Sequence, residues 1–109
     1  MRAPHARVAL VLFAISAALV GCGDAPARHD LDMRDLVFRP AWASARIGDT
    51  LVWTNQDLVP HTVTEVAGGW DSGPVAPGAS WRLVLEAGHD TVAYACIYHP
   101  TMTGSVVVQ

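Results

Sequence analysis

The 109-residue chain predicts an all-β fold, a Greek-key antiparallel β-sandwich. Three observations carry this expectation. Beyond the first 21 residues, no stretch sustains a helical period of apolar positions. Roughly seven short runs rich in β-branched and aromatic residues recur about every 8–12 positions. Clusters of Gly, Pro, Asn and Asp separate those runs.

Residues 1–21 stand apart from the domain. Arg2 and Arg7 precede an uncharged apolar stretch, Val8 to Val20. At 13 residues it is too short to span a bilayer comfortably and suits the h-region of a signal peptide. Leu19-Val20-Gly21-Cys22 resembles the bacterial lipobox, in which the cysteine is acylated and becomes the new N-terminus. The resemblance implies lipidation at Cys22, a membrane attachment and an exported, cell-envelope or periplasmic location. An ordinary secretory signal cut nearby is the plainer alternative. Residues 22–30 are small and polar and read as a tether. The domain is expected over 31–109.

Within the domain, Asp32 to Phe38 alternates in part and predicts a first strand, ended by Pro40. Ala43 to Ile47 predicts a weaker one, closed by Gly48-Asp49. Thr50 to Asn55 is β-branched and aromatic, the clearest strand of the chain. His61 to Val66 alternates polar and apolar residues. Gly68-Gly69, Asp71-Ser72-Gly73-Pro74 and Pro77-Gly78 mark a long loop region. Ser80 to Leu85, Thr91 to Cys96 and Gly104 to Val108 complete the set.

The mature chain, Cys22 to Gln109, would hold 88 residues, with ten carboxylates against five arginines and no lysine. A net charge near −5 makes nucleic acid a poor partner and would steer a basic protein partner toward the domain. One disulfide between Cys22 and Cys96 is conceivable in an oxidising compartment. The lipobox already gives Cys22 a use, however, and Cys96 has chemically suggestive neighbours.

Those neighbours lie in Cys96-Ile97-Tyr98-His99-Pro100-Thr101-Met102. A thiol, an imidazole and a thioether recur at three-residue intervals on a loop that follows a strand, and His61 adds a second imidazole. Two histidines, one cysteine and a weak axial methionine are the ligand set of electron-transfer copper sites. The expected site has His61, Cys96 and His99 close to one copper ion and Met102 axial. Around it, Asn55 is expected to tie the His61 segment to the Cys96 loop. The Thr62 amide is expected to donate to the Cys96 sulfur, and the Pro60 carbonyl to lie opposite Met102. Zinc fits poorly because thioether is not a usual zinc ligand. A catalytic cysteine with His61 or His99 as base leaves Met102 without a role. His29, His89, Asp57, Glu65 and Asp71 read as solvated tether, turn or surface groups.

Across nearly the whole mature chain, in order, the sequence resembles the cupredoxins of the plastocyanin and amicyanin group. The matching pieces are Phe38-x-Pro40, Gly48 to Asn55 with Asp57, His61-Thr62-Val63, Asp71-Ser72-Gly73, Pro77-Gly78, Tyr94-x-Cys96 and His99-Pro100-x-Met102-x-Gly104. The two-residue gaps on either side of His99 give the short ligand loop associated with amicyanin. The resemblance implies a Greek-key sandwich, one type 1 copper and one-electron shuttling between a protein donor and acceptor. It also implies electron exit at His99 through an apolar patch that includes Pro60, Pro74 and Pro100. Ala43, Ala45 and Trp70 depart from the family's usual residues without touching an expected ligand. No enzyme activity is expected, and a monomer is the default. A copper-delivery protein using the same ligands, or a structural sandwich domain, are the alternatives.

Overall fold

The computed structural model describes residues 1–4, 9–15, 25–86, 88 and 90–109. Cys22, where lipidation is expected, and His89 lie outside them. Among the described residues there is no helix, and so none long and apolar enough to cross a membrane. Eight strands run β1 Arg28–Arg34, β2 Val37–Arg39, β3 Trp42–Ala45, β4 Thr50–Asn55, β5 Thr64–Glu65, β6 Ser80–Val84, β7 Thr91–Ala95 and β8 Thr103–Val108. They form two four-stranded sheets, ordered β2-β1-β4-β6 and β3-β8-β7-β5.

The all-β sandwich agrees with the sequence expectation; its purely antiparallel character does not. β1 pairs parallel with β4, and β3 parallel with β8. A tight hairpin makes only antiparallel neighbours, and a parallel neighbour requires a crossover. Here β3 belongs to the other sheet, so the chain leaves the first sheet after β2 and returns to lay β4 beside β1.

The expected first strand is in fact a hairpin. Asp35 and Leu36 both take left-handed backbone, at φ 56° and 59°, and reverse the chain so that Arg34 faces Val37. Leucine at positive φ is uncommon, which is why alternation alone suggested one continuous strand. The turn is held from outside, by the Asp57 carboxylate, which accepts the Asp35 amide at 2.7 Å and the Leu36 amide at 3.0 Å.

β1 also starts earlier than expected. Arg28, His29 and Asp30 pair with Thr50, Leu51 and Val52, so the last third of the expected tether is strand. His29 is not a solvated tether residue: its Nε2 lies 2.8 Å from Asp49 Oδ2. Asp49 is buried and also accepts the Ala27 amide at 2.8 Å and the Arg46 amide at 3.0 Å. The Arg46 amide, the His29 ring and the Ala27 amide hold its carboxyl at about 2, below the usual 3.8. A depressed carboxyl stabilises the fold above its unfolded value, and that contribution disappears as pH falls through the folded value. Denaturant midpoints of the wild type should therefore drop between about pH 4 and pH 2 by more than those of Asp49→Asn. Parallel pH profiles for the two proteins would contradict this.

The core lies between the sheets. Leu31 and Met33 from β1, Leu51 and Trp53 from β4, and Tyr94 and Val106 from β7 and β8 are almost fully buried. Tyr94 stands edge-on to Phe38 at 4.8 Å and to Trp53 at 5.3 Å, a favoured aromatic geometry. On β7, Val92 and Tyr94 face inward by strand alternation. The next inward position after Tyr94 is Cys96, just beyond the strand end.

Candidate metal centre

Cys96 is a free, buried cysteine at the end of β7. The loop after it is closed by its own backbone. The Cys96 amide donates to the Met102 carbonyl at 3.0 Å, and the Met102 amide to the His99 carbonyl at 2.8 Å. These two bonds curl residues 96–102 so that Cys96 and His99 meet: Cys96 Sγ lies 3.6 Å from His99 Nδ1. Met102 is buried beside them, at 1 % exposure.

His61 arrives from elsewhere. The sequence suggests that it opens a strand, but it lies before β5, in an isolated bridge with Val75. The two residues exchange backbone hydrogen bonds at 3.2 and 2.7 Å. This bridge turns His61 fully inward, with Nδ1 3.8 Å from Cys96 Sγ. The donor atoms of His61, Cys96 and His99 all lie within 4.8 Å of one another, a cluster that could hold a metal ion. The two imidazoles meet edge-on, with centroids 5.1 Å apart.

No established family profile matches the chain. The amicyanin of Paracoccus denitrificans is 29% identical over 83 residues, covering 72% of this chain. The aligned region is 63% of that protein's length. Among solved structures, an oxidised methionine-to-leucine mutant of amicyanin superposes with a TM-score of 0.68 at 26% identity. That match covers 74% of this chain and 81% of the other. A purple cupredoxin from Nitrosopumilus maritimus superposes with a TM-score of 0.67 at 25% identity, covering 74% and 99%. The chain has the cupredoxin fold and is similar to amicyanin.

The cluster is framed by polar contacts. The Thr62 amide donates to Cys96 Sγ at 3.4 Å, as the sequence suggests. Asn55 acts differently from expectation. Its Nδ2 donates to the carbonyls of Val59 at 2.8 Å and Val75 at 3.0 Å, and its Oδ1 accepts the Asp57 amide at 2.9 Å. It thus binds the two segments that bracket His61, rather than the Cys96 loop. Pro60, Pro74 and Pro100 are exposed, and His99 is half-buried. The neighbouring apolar residues Leu58, Val59, Ile97 and Tyr98 are exposed as well.

Asp57 is the residue that the sequence undervalues. It is not a solvated surface charge: Oδ2 sits 2.7 Å from His61 Nε2. Burial pushes its carboxyl up, but the Leu36 amide, the His61 ring and the Asp35 amide outweigh burial and hold it below the usual range. A carboxylate only accepts, so Nε2 of His61 carries the proton and the Nδ1 lone pair faces Cys96. Carboxylate–histidine pairs of this kind fix the tautomer and ring orientation of metal-binding histidines. The available signal was a carboxylate four residues before a histidine, in a turn opened by Asn55.

Proposed function

We propose that this protein is an extracytoplasmic electron carrier with one type 1 copper, held by His61, Cys96, His99 and Met102. The observation that carries the reading is the meeting of two Nδ1 atoms and one buried thiol in a single cluster. His61, Cys96 and His99 would hold the ion with Met102 nearby, the donor types of electron-transfer copper sites. Cu(I) is present in a solved amicyanin structure that shares this fold at a TM-score of 0.68. Copper in such a site supplies a one-electron couple.

The protein's own contribution is rigidity. Asp57 orients His61, the Thr62 amide meets the sulfur, and the Cys96–Met102 backbone bonds fix the loop. A frame that barely moves between oxidation states keeps reorganisation small. The burial of His61, Cys96 and Met102 favours a carrier over a delivery protein, which must surrender its metal to an acceptor. Catalysis is not part of the reading, because four protein ligands leave no open position for substrate. Transfer would run through the half-buried His99 edge, framed by Pro60, Pro74 and Pro100, to protein donors and acceptors. A signal peptide over 1–21 and a lipid on Cys22 would anchor a monomeric domain to a membrane outside the cytoplasm.

Adding Cu(II) to the purified domain and recording visible absorption and EPR spectra tests this. An intense thiolate-to-copper band with narrow hyperfine splitting is expected. A pale, ordinary Cu(II) spectrum would remove Cys96 from the ligand set. Asp57→Asn leaves one acceptor oxygen for three donors, the Asp35 and Leu36 amides and His61 Nε2. Copper affinity, read by chelator competition, should fall about 10–100-fold. An unchanged affinity would mean that His61 needs no carboxylate to orient it.

A further inference from the structure

A second carboxylate reaches the ligand loop indirectly. Thr64 in β5 pairs with Ala95 and, on its other side, bridges Asp71. The same antiparallel register carries Thr62 opposite Ile97, the residue that follows Cys96. There the Ile97 amide donates to Thr62 Oγ1 at 2.8 Å. Thr62 Oγ1 lies 3.0 Å from Thr64 Oγ1, and Thr64 Oγ1 lies 3.0 Å from Asp71 Oδ1.

Thr64 is the middle of this row. The Thr64 hydroxyl has one proton and faces two oxygens. An ionised carboxylate cannot donate, and a hydrogen bond to a charged acceptor is the stronger kind. Thr64 Oγ1 is the donor to both, so its one proton is shared between Thr62 Oγ1 and Asp71 Oδ1. Thr62 Oγ1 in turn accepts from the Ile97 amide. The Ile97 amide and the Thr64 hydroxyl thus converge on Thr62 Oγ1, and Thr64 ties that oxygen to the carboxylate. Thr62 also contributes its own amide to Cys96 Sγ, so the row is anchored on both sides of the thiol.

We propose that Asp71 and Thr64 are positioning residues of the metal centre. They hold the Ile97 amide through Thr62, and with it the start of the ligand loop, and they set the electrostatic field at Cys96. The row ends on the Asp71 carboxylate, which places a negative charge behind the loop. That field favours the more positive oxidation state of a bound ion and so lowers the reduction potential. Asp71 also accepts the Gly73 amide at 2.9 Å, a local turn contact that Thr64 does not share. Substitutions at Thr64 therefore separate the row from the turn.

The field effect rests on the copper reading; the anchoring of Ile97 does not. The first measurement is accordingly amide exchange of Ile97 by NMR in the metal-free protein. Thr64→Val should speed it about five- to tenfold, the loss of one hydrogen bond of ordinary net strength. Thr64→Ser, which keeps the hydroxyl, should match the wild type, and Asp71→Ala should resemble Thr64→Val. The second measurement is the reduction potential of the copper-loaded protein. It should rise in Thr64→Val and Asp71→Ala and stay in place in Thr64→Ser. Unchanged Ile97 exchange in Thr64→Val would overturn the anchoring role. A Thr64→Ser protein that behaves like Thr64→Val would do the same, since packing would then explain the effect. Loosened exchange with an unmoved potential would overturn the field effect. Failure to take up copper at all would refute the proposed function instead, with the exchange data still deciding whether the row exists.

Discussion

Cys96→Ser should give a folded protein that has lost the intense visible band entirely. The band requires a thiolate bonded to copper, and a serine hydroxyl stays protonated where a thiol does not. The buried site tolerates the exchange structurally. The Thr62 amide that points at Sγ can donate to a hydroxyl, so the new polar atom is not orphaned. The backbone bonds that close the loop, Cys96 to Met102 and Met102 to His99, do not involve the side chain. Thermal unfolding of the metal-free variant should therefore stay within a few degrees of the wild type, a shift of roughly 1 kcal/mol or less. Copper-dependent stabilisation, which follows ligand affinity, should largely vanish. A variant that keeps the band would show that the sulfur is not the ligand. Loss of the fold in the metal-free state would mean that Cys96 serves packing first.

Gly104→Ala should cost more stability than Cys96→Ser at the proposed metal centre. Gly104 pairs directly with Tyr94 across β7 and β8. A Cβ at Gly104 would overlap the tyrosine ring at Cζ, Oη and Cε2. The ring has nowhere to go. It is fully buried, with Phe38 edge-on at 4.8 Å and Trp53 at 5.3 Å. Overpacking a dense core costs about 1–3 kcal/mol and sometimes more, and a ring fixed on three sides belongs at the upper end. For a domain of this size, about 3 kcal/mol lowers the unfolding midpoint by roughly 12–24 °C. Adding Tyr94→Leu to Gly104→Ala should recover part of the loss, because the two residues share one volume and their effects cannot be additive. A Gly104→Ala protein within about 1 kcal/mol of the wild type, measured by denaturant unfolding, would show that Tyr94 does not pack on the glycine.

The parts of the fold legible in the sequence are those set by local chemistry. β4 spans Thr50–Asn55 as its β-branched and aromatic residues suggest, and β6, β7 and β8 fall within a residue of the expected runs. The spacing of Cys96, His99 and Met102 likewise announces a loop that can curl on itself, because three-residue intervals are a local property. What misled the eye was also local. Asp32 to Phe38 alternates like one strand, yet Leu36 sits at φ 59° because a carboxylate twenty-one residues away takes its amide. His61 to Val66 alternates too. His61 nonetheless leaves the strand, because Val75 offers both of its backbone partners.

The sequence by itself determined the fold class and brought forward the residues of the proposed donor set, three of them on one loop. Hydrophobic alternation, turn residues and ligand spacing are periodic features, and they can be read without coordinates. Only the tertiary structure decided which carboxylates matter. Asp49, Asp57 and Asp71 look alike as letters, each beside turn residues. One clamps the start of β1, one orients His61 and pins a hairpin, and one ends a row of hydroxyls leading to the loop. The parallel pairings β1·β4 and β3·β8 were decided in the same way. Each of these contacts joins segments far apart in the chain. A hydrogen bond depends on distance and direction in space, which no local pattern of residues encodes.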